Sequence, residues 1–272
     1  LKRRDEKTRE LDALREKFPK PVLWKTIRLE GEDSFPVFGC LRRQNEDNII
    51  LLARNSQTSA KTWEKMVAMT LNGETLWEVA PKNPRTSANM MTGVKLTDIN
   101  GDGLDEVLTS FDGKIKVLRG SDGSVIREAP LPSGGMYGAL RGESFKPEGI
   151  YPVQWQPAPA PKGLMLTEEY GSDGGNCIIA LDSDLKEMWR YYSLPVNYGH
   201  SLDMWDVDGD GREEVAAGYH LVDADGKRVW SVEGSEYFDV QQGARHADVV
   251  SLGDFNGDGK IEVAYAGGGE GF

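Results

Sequence analysis

The sequence predicts an all-β fold, specifically a β-propeller of four-stranded blades with calcium-binding turns, preceded by one short helix. Two kinds of repeat support this prediction. An acidic nine-residue loop occurs three times, and a hairpin with a polar turn occurs four times at separations of 50, 62 and 41 residues. Repeats of ~40–50 residues built of short strands are typical of propellers, which use one blade per repeat.

The first segment of the chain is predicted to be a helix. Leu11, Leu14 and Phe18 recur at i, i+3 and i+7 in a charged segment that ends before Pro19. This spacing places the three apolar residues on one face of an amphipathic helix. We therefore assign residues 1–20 to a helical leader and residues 21–272 to about five blades, of which the last is incomplete.

The four hairpins lie at residues 71–77, 118–126, 181–189 and 222–230. Each joins two apolar segments through a turn that contains Gly or Asp, which is the chemistry of a β-hairpin. The ring of blades is not complete at residue 272, so we expect the natural domain to be longer. Because the sequence has neither an initiator methionine nor a signal peptide, we expect its front to be processed or trimmed. A small ring is the alternative.

The acidic loops cover residues 98–106, 206–214 and 254–262, here called loops 1, 2 and 3. Oxygen-bearing side chains occupy positions 1, 3, 5 and 9, and Ca²⁺ takes about six to eight oxygen ligands. An EF-hand would need its closing glutamate at position 12 and flanking helices, whereas here the acid at position 9 leads into an apolar segment. We predict strand-leading calcium loops with the ligands Asp98, Asn100, Asp102, Glu106, Asp206, Asp208, Asp210, Glu214, Asp254, Asn256, Asp258 and Glu262.

The composition limits the partners and the location. The chain has 44 acidic and 32 basic residues, a net charge of −12, which argues against nucleic-acid binding. No apolar run approaches the ~20 residues of a membrane-spanning helix. Weak calcium loops suit the millimolar Ca²⁺ outside the cell, so we expect a secreted or periplasmic monomer. Cys40 and Cys177 form either one disulfide or two thiols.

A stretch rich in Pro and Gly interrupts the repeat at residues 130–163. A loop of this length in a compact repeat is either a binding loop or disordered. Because it carries Arg141, Tyr151 and Trp155, we predict substrate binding here, with sugar rings stacking on exposed aromatic rings.

Two of the three histidines stand at matched sites. His200 precedes Asp206 by six residues and His246 precedes Asp254 by eight, which suggests that both face one place. The alternative is a pair of strand-end histidines that bond to the backbone. His220 is predicted to be an ordinary strand residue.

Residues 197–211 and 246–255, followed by Glu262 and Val263, resemble the propeller-type rhamnogalacturonan lyases. Ulvan lyases are similar propellers. The resemblance implies an eight-bladed propeller with several Ca²⁺ ions that cleaves the pectin backbone by β-elimination. It also implies an active-site ion held by His200, His246, Asp248 and Glu270, and catalytic basic residues beyond Phe272.

The chemistry of elimination explains this ligand set. The proton α to a uronate carboxylate must be removed, and a cation on the carboxylate stabilises the developing charge. Several residues could act as the base, and the spacing selects none of them: Arg141, Tyr170, Tyr198 and Arg245. The leading prediction is thus a calcium-dependent lyase of an acidic polysaccharide. The alternative is a non-catalytic, FG-GAP-like propeller that binds glycan or protein.

Overall fold

The computed structural model describes residues 2–18, 22–23, 25–27, 34–43, 48–54, 62–83, 93–134, 145, 147–168, 177–192, 202–233 and 247–267. The chain divides into two units, Leu1–Glu30 and Gly31–Phe272. The first unit contains helix α1 (Lys2–Lys17), which confirms the predicted helix. Its residues Leu11 and Leu14, and Phe18 just after it, are exposed. Among the described helices, none could cross a membrane.

Within the described residues, the second unit consists of β-strands arranged as four sheets of four strands and one two-stranded hairpin. Sheet 1 contains β1 (Ser34–Gly39), β2 (Asn48–Arg54), β3 (Trp63–Thr70) and β4 (Thr75–Val79). Sheet 2 contains β5 (Lys95–Thr97), β6 (Glu106–Phe111), β7 (Lys114–Leu118) and β8 (Val125–Pro130). Sheet 3 contains β9 (Pro147–Val153), β10 (Gly163–Glu168), β11 (Cys177–Leu181) and β12 (Glu187–Tyr192). Sheet 4 contains β13 (Asp203–Trp205), β14 (Glu214–Ala217), β15 (His220–Val222) and β16 (Arg228–Ser231), and the hairpin contains β17 (Ala247–Gly253) and β18 (Glu262–Gly267).

Each four-stranded sheet is an antiparallel meander in which strands follow one another in chain order. The four hairpins predicted from the sequence join the third strand of each sheet to the fourth, which confirms them. The second strands β6 and β14 are buried along their whole length, whereas the fourth strands β8, β12 and β16 are the most exposed. Strand β6 is buried on both faces although it contains the polar residues Glu106, Thr109 and Ser110.

The apolar core lies between successive sheets. One cluster joins Trp63 and Met66 of sheet 1 to Val107 and Phe111 of sheet 2. Corresponding clusters join sheet 2 to sheet 3, sheet 3 to sheet 4, and sheet 4 to the last hairpin. The sheets therefore pack face to face in chain order, each one burying apolar surface against the next.

A hydrogen bond from the fourth strand of one sheet to a turn of the next sheet recurs at three of these interfaces. The indole Nε1–H of Trp77, on β4, donates to the carbonyl of Gly120 in the β7–β8 turn at 2.7 Å. Trp189, on β12, donates in the same way to Ala224 in the β15–β16 turn at 2.9 Å. Arg127, at the same place on β8, donates to the carbonyl of Ser183 in the β11–β12 turn. A fourth-strand side chain thus binds the turn of the following sheet.

The long interruption predicted at residues 130–163 is only in part a loop. Strand β9 (Pro147–Val153) lies within it and pairs with β10 from Gly163↔Val153 to Glu168↔Pro147. Five of the seven β9 residues are buried, so burial outweighs the local Pro and Gly content. The prediction of one long loop was therefore wrong.

Candidate functional site

The three acidic loops occupy equivalent places in the fold. Each connects the first strand of a sheet to the second: loop 1 joins β5 to β6, loop 2 joins β13 to β14, and loop 3 joins β17 to β18. The position-9 residue of each loop is the first residue of the second strand, namely Glu106, Glu214 and Glu262. This confirms that the loops lead into strands and are not part of a helix–loop–helix unit.

The position-1 aspartate shapes each loop through backbone hydrogen bonds. In loop 2 the carboxylate of Asp206 accepts from the N–H of Gly209 at 2.8 Å and of Gly211 at 2.9 Å. Asp98 and Asp254 accept the same two bonds at 2.6–2.8 Å. Gly211 has φ +85°, which a residue with a side chain rarely adopts, so glycine at position 6 is needed for the turn.

The position-9 glutamate closes each loop. Its Oε2 accepts from the backbone N–H of position 2, at 3.1 Å from Ile99 to Glu106 and at 2.8 Å from Val207 to Glu214 and from Phe255 to Glu262. One carboxylate oxygen is thereby fixed to the backbone.

The acidic side chains of loops 2 and 3 converge. Ligand oxygens of Asp206, Asp208 and Asp210 lie within 4.8 Å of one another, as do those of Asp254, Asp258 and Glu262. Burial raises the pKa of Glu214, and repulsion from Asp208, Asp210 and Asp206 adds to this effect. The pKa of Glu106 is raised for the same two reasons. A set of hard carboxylate oxygens that repel one another fits Ca²⁺.

Position 8 of loops 1 and 2 makes a contact that the sequence analysis missed. The N–H of Cys40 donates to Asp105 Oδ2 at 2.7 Å, and the N–H of Asp105 donates to the carbonyl of Cys40 at 2.8 Å. Glu213 and Gln154 exchange the same pair of bonds at 2.7 and 2.9 Å. Each of these pairs of hydrogen bonds is here called a clasp. Because Cys40 follows β1 and Gln154 follows β9, each clasp joins a loop to the preceding sheet. Loop 3 has Ile261 at this position, which has no carboxylate to offer.

Most of the candidates for the active-site ion and the substrate fall outside the described residues, namely His200, His246, Glu270 and Arg141. Asp248 belongs to strand β17. The exposure expected for the two aromatic substrate candidates is wrong: Tyr151 is 7% exposed and Trp155 is 2% exposed. Both pack in the core between sheets 3 and 4, where no ring face is free for a sugar.

The remaining titratable candidates have structural surroundings. Cys40 and Cys177 are both free thiols, and burial raises the pKa of Cys177 to about 12. His220 is a buried residue of β15, and its Nδ1 lies 2.7 Å from the hydroxyl of Tyr191 on β12. Burial lowers the pKa of His220, and nearby Arg228 lowers it further. His220 is therefore a buried strand residue at the interface of sheets 3 and 4.

Known proteins show similarity over most of the chain, although no protein-family model matches it. Rhamnogalacturonan exolyase YesX of Bacillus subtilis (strain 168) is 25% identical in an alignment of 236 residues, and the match covers 70% of this chain and 36% of that protein. The crystal structure of rhamnogalacturonan lyase PL11 of Bacillus licheniformis matches with a TM-score of 0.62 and 16% identity, over 87% of this chain and 49% of that one. The biofilm matrix protein Bap1 of V. cholerae matches with a TM-score of 0.58 and 16% identity, over 85% and 34%.

These similarities confirm the resemblance to the rhamnogalacturonan lyases that residues 197–211 and 246–255 indicated. The solved structures share the fold, an all-β array of four-stranded antiparallel sheets. This chain spans about half the length of the lyase structure, and less of the other two proteins.

Proposed function

We propose that the protein is a calcium-dependent polysaccharide lyase that cleaves a uronate-containing, rhamnogalacturonan-like polymer by β-elimination. The observation that carries this proposal is the 25% identity with a rhamnogalacturonan exolyase over 70% of the chain. The acidic loops support the calcium requirement, because the carboxylates of loops 2 and 3 form clusters of hard oxygen ligands and loop 1 has the same ligand positions.

The arrangement of the sheets supports a propeller, which we propose as the architecture. The first strand of one sheet lies beside the first strand of the next, as β1 does with β5, β5 with β9 and β13 with β17. In sheets 2, 3 and 4 the fourth strand is the most exposed strand. Neighbouring first strands with outward fourth strands are expected when blades fan about an axis.

The loop ions would have a structural role in this proposal. Loops 1 and 2 connect first strands to second strands and are clasped to the preceding sheet through Asp105 and Glu213. An ion in each loop would hold the acidic side chains in place and thereby stabilise the strand that follows. Because it binds only the folded loop, it would raise the free energy of unfolding.

The reaction itself would use a different set of residues. We propose His200, His246, Asp248 and Glu270 as the ligands of an ion at the reaction site, which would supply Lewis-acid stabilisation of the charge on the uronate. A basic side chain must take the α proton, and we assign none. We also propose that the protein acts as a monomer outside the cytoplasm, where Ca²⁺ is abundant.

The test is the release of unsaturated uronate, followed by its ultraviolet absorbance, from rhamnogalacturonan in the presence of Ca²⁺. We expect His200→Ala and His246→Ala to abolish release without lowering the melting temperature. Glu64→Ala, an exposed acid on β3, is the control and should retain activity. Failure of the intact protein to form this product from any uronate polymer would refute the lyase proposal.

A non-catalytic propeller is the second candidate, because the fold is also that of the biofilm matrix protein Bap1. Shared fold does not determine activity. This candidate expects the chain to bind a glycan or a protein in the presence of Ca²⁺ and to release no unsaturated product.

A further inference from the structure

Lys95 occupies a position that recurs in the first strands of successive sheets. It lies two residues before the end of β5 (Lys95–Thr97), as Tyr151 does in β9 (Pro147–Val153) and Asp203 in β13 (Asp203–Trp205). These three residues are here called the first-strand layer, in which Lys95 and Tyr151 lie side by side. In a propeller the first strands line the central channel.

The other two members of the first-strand layer bind backbone N–H groups of the next sheet, one just before its first strand and one within it. The backbone N–H of Leu202 donates to the hydroxyl of Tyr151, and the N–H of Leu252 donates to Asp203 Oδ2 at 2.8 Å. Both side chains are acceptors and both are satisfied. Lys95 has an ammonium group, which can only donate, so it cannot make the equivalent bond.

The ammonium of Lys95 has no anionic partner in the described part of the chain. Its Nζ lies over the ring of Tyr151, 5.3 Å from the centroid, and no described carboxylate lies within ion-pair distance of it. Lys95 is half-buried, and burial lowers its pKa. A partly desolvated cation without a counter-charge is costly in free energy, and an anion placed beside it would remove that cost.

We propose that Lys95 binds a carboxylate of an acidic polysaccharide while its ammonium group rests against the ring of Tyr151. This inference rests on the function proposed above and assigns one residue to its substrate. It also revises the role of Tyr151, whose buried ring positions Lys95 and does not stack on a sugar.

Other lysines of the sheets differ from Lys95 in having carboxylate partners. Lys116 is buried and lies 2.6 Å from Glu128, and Lys65 lies 2.8 Å from Glu78 on the surface of sheet 1. Lys65 is therefore the matched control, since Lys65→Met also removes one positive charge from a strand but leaves the first-strand layer intact.

The experiment measures binding of rhamnogalacturonan oligosaccharides to the full chain by calorimetry, with their carboxyl groups either free or reduced to alcohols. The wild type should prefer the free carboxylates. Lys95→Met should weaken their binding by about tenfold to a hundredfold, the loss expected for a hydrogen bond between charged groups, and should not change binding of the reduced oligosaccharides. Lys95→Arg should retain most of the preference, and Lys65→Met should bind like the wild type.

The outcomes separate the two proposals. If the wild type prefers carboxylates and Lys95→Met binds them equally well, the role of Lys95 is refuted and the proposed function stands. If the wild type binds neither form, both are refuted. Should Lys95→Met fail to fold, judged by its melting temperature, Lys95→Gln answers the same question, and an unchanged affinity in that variant refutes the role.

Discussion

Asp105 and Cys40 hold each other through two hydrogen bonds, one at 2.7 Å from the Cys40 N–H to the Asp105 carboxylate and one at 2.8 Å in the opposite direction through the backbone. The two residues are 65 positions apart in the sequence and belong to different sheets. Glu213 and Gln154 repeat this arrangement. Loops 1 and 2 are thus each hydrogen-bonded to the sheet that precedes them.

Removing this clasp should destabilise the protein. We expect Asp105→Ala and Glu213→Ala each to lower the free energy of unfolding by about 1–3 kcal/mol, because each leaves a half-buried N–H without its acceptor. The measurement is denaturant unfolding in the presence of a chelator, so that bound metal does not contribute. Glu64→Ala, an exposed acid, should change the value by less than about 0.5 kcal/mol. Equal effects in all three variants would show that the clasps add no stability.

The tryptophans of the fourth strands give a second prediction. Trp77→Phe and Trp189→Phe keep most of the apolar surface but lose the donors to Gly120 and Ala224. Each should cost about 1–3 kcal/mol of stability. Trp230 stands at the equivalent place on β16 and has no hydrogen-bond partner for its indole within the described residues. Thermal and denaturant unfolding should therefore show a smaller loss for Trp230→Phe, and a loss as large as the other two would contradict this explanation.

Gly123 tests the packing of the β7–β8 turn against Trp77, and Gly113 is its control. Both have φ +72°, so alanine is strained equally at both, by about 1–2 kcal/mol. A Cβ on Gly123 would lie 2.8 Å from the ring of Trp77, whereas a Cβ on Gly113 would have nothing within 4 Å. We expect Gly123→Ala to lose about 1–3 kcal/mol more than Gly113→Ala in denaturant unfolding. Equal losses would mean that the turn does not pack on Trp77 in solution.

His220 gives a prediction about pH. Burial and Arg228 lower its pKa below the ordinary value of 6.5, so the folded state binds a proton less readily than the unfolded state. Its contribution to stability is then fully present above pH ~6.5 and is lost as the pH falls. The stability of the wild type between pH 7 and pH 5 should fall more steeply than that of His220→Gln, measured by denaturant unfolding at each pH. Parallel profiles would contradict the lowered pKa.

The parts of this structure that the sequence predicted are those that depend on neighbouring residues. Loops 1–3 and the four hairpins each need only a few consecutive side chains and a glycine, so their pattern is visible in the chain. Strand β1 contains Pro36 and lies at the edge of sheet 1, where a proline is tolerated, and the sequence analysis did not assign it.

The parts that the sequence could not predict depend on distant partners. The burial of Tyr151 and Trp155 results from packing against sheet 4, which no local pattern reports. Gln154 and Glu213 are 59 residues apart, and only the acid at position 8 of loops 1 and 2 gave any signal. The position of Lys95 beside Tyr151 likewise follows from the alignment of two separate first strands.

The most direct test of the calcium loops is the number of ions that the chain binds. Equilibrium dialysis against Ca²⁺, followed by elemental analysis, should give one fewer ion per chain for each of Asp98→Ala, Asp206→Ala and Asp254→Ala than for the wild type, with Glu64→Ala unchanged. Each loss should be accompanied by a smaller rise in melting temperature on adding Ca²⁺. The same number of ions in all five proteins, or no bound ion in the wild type, would contradict the account.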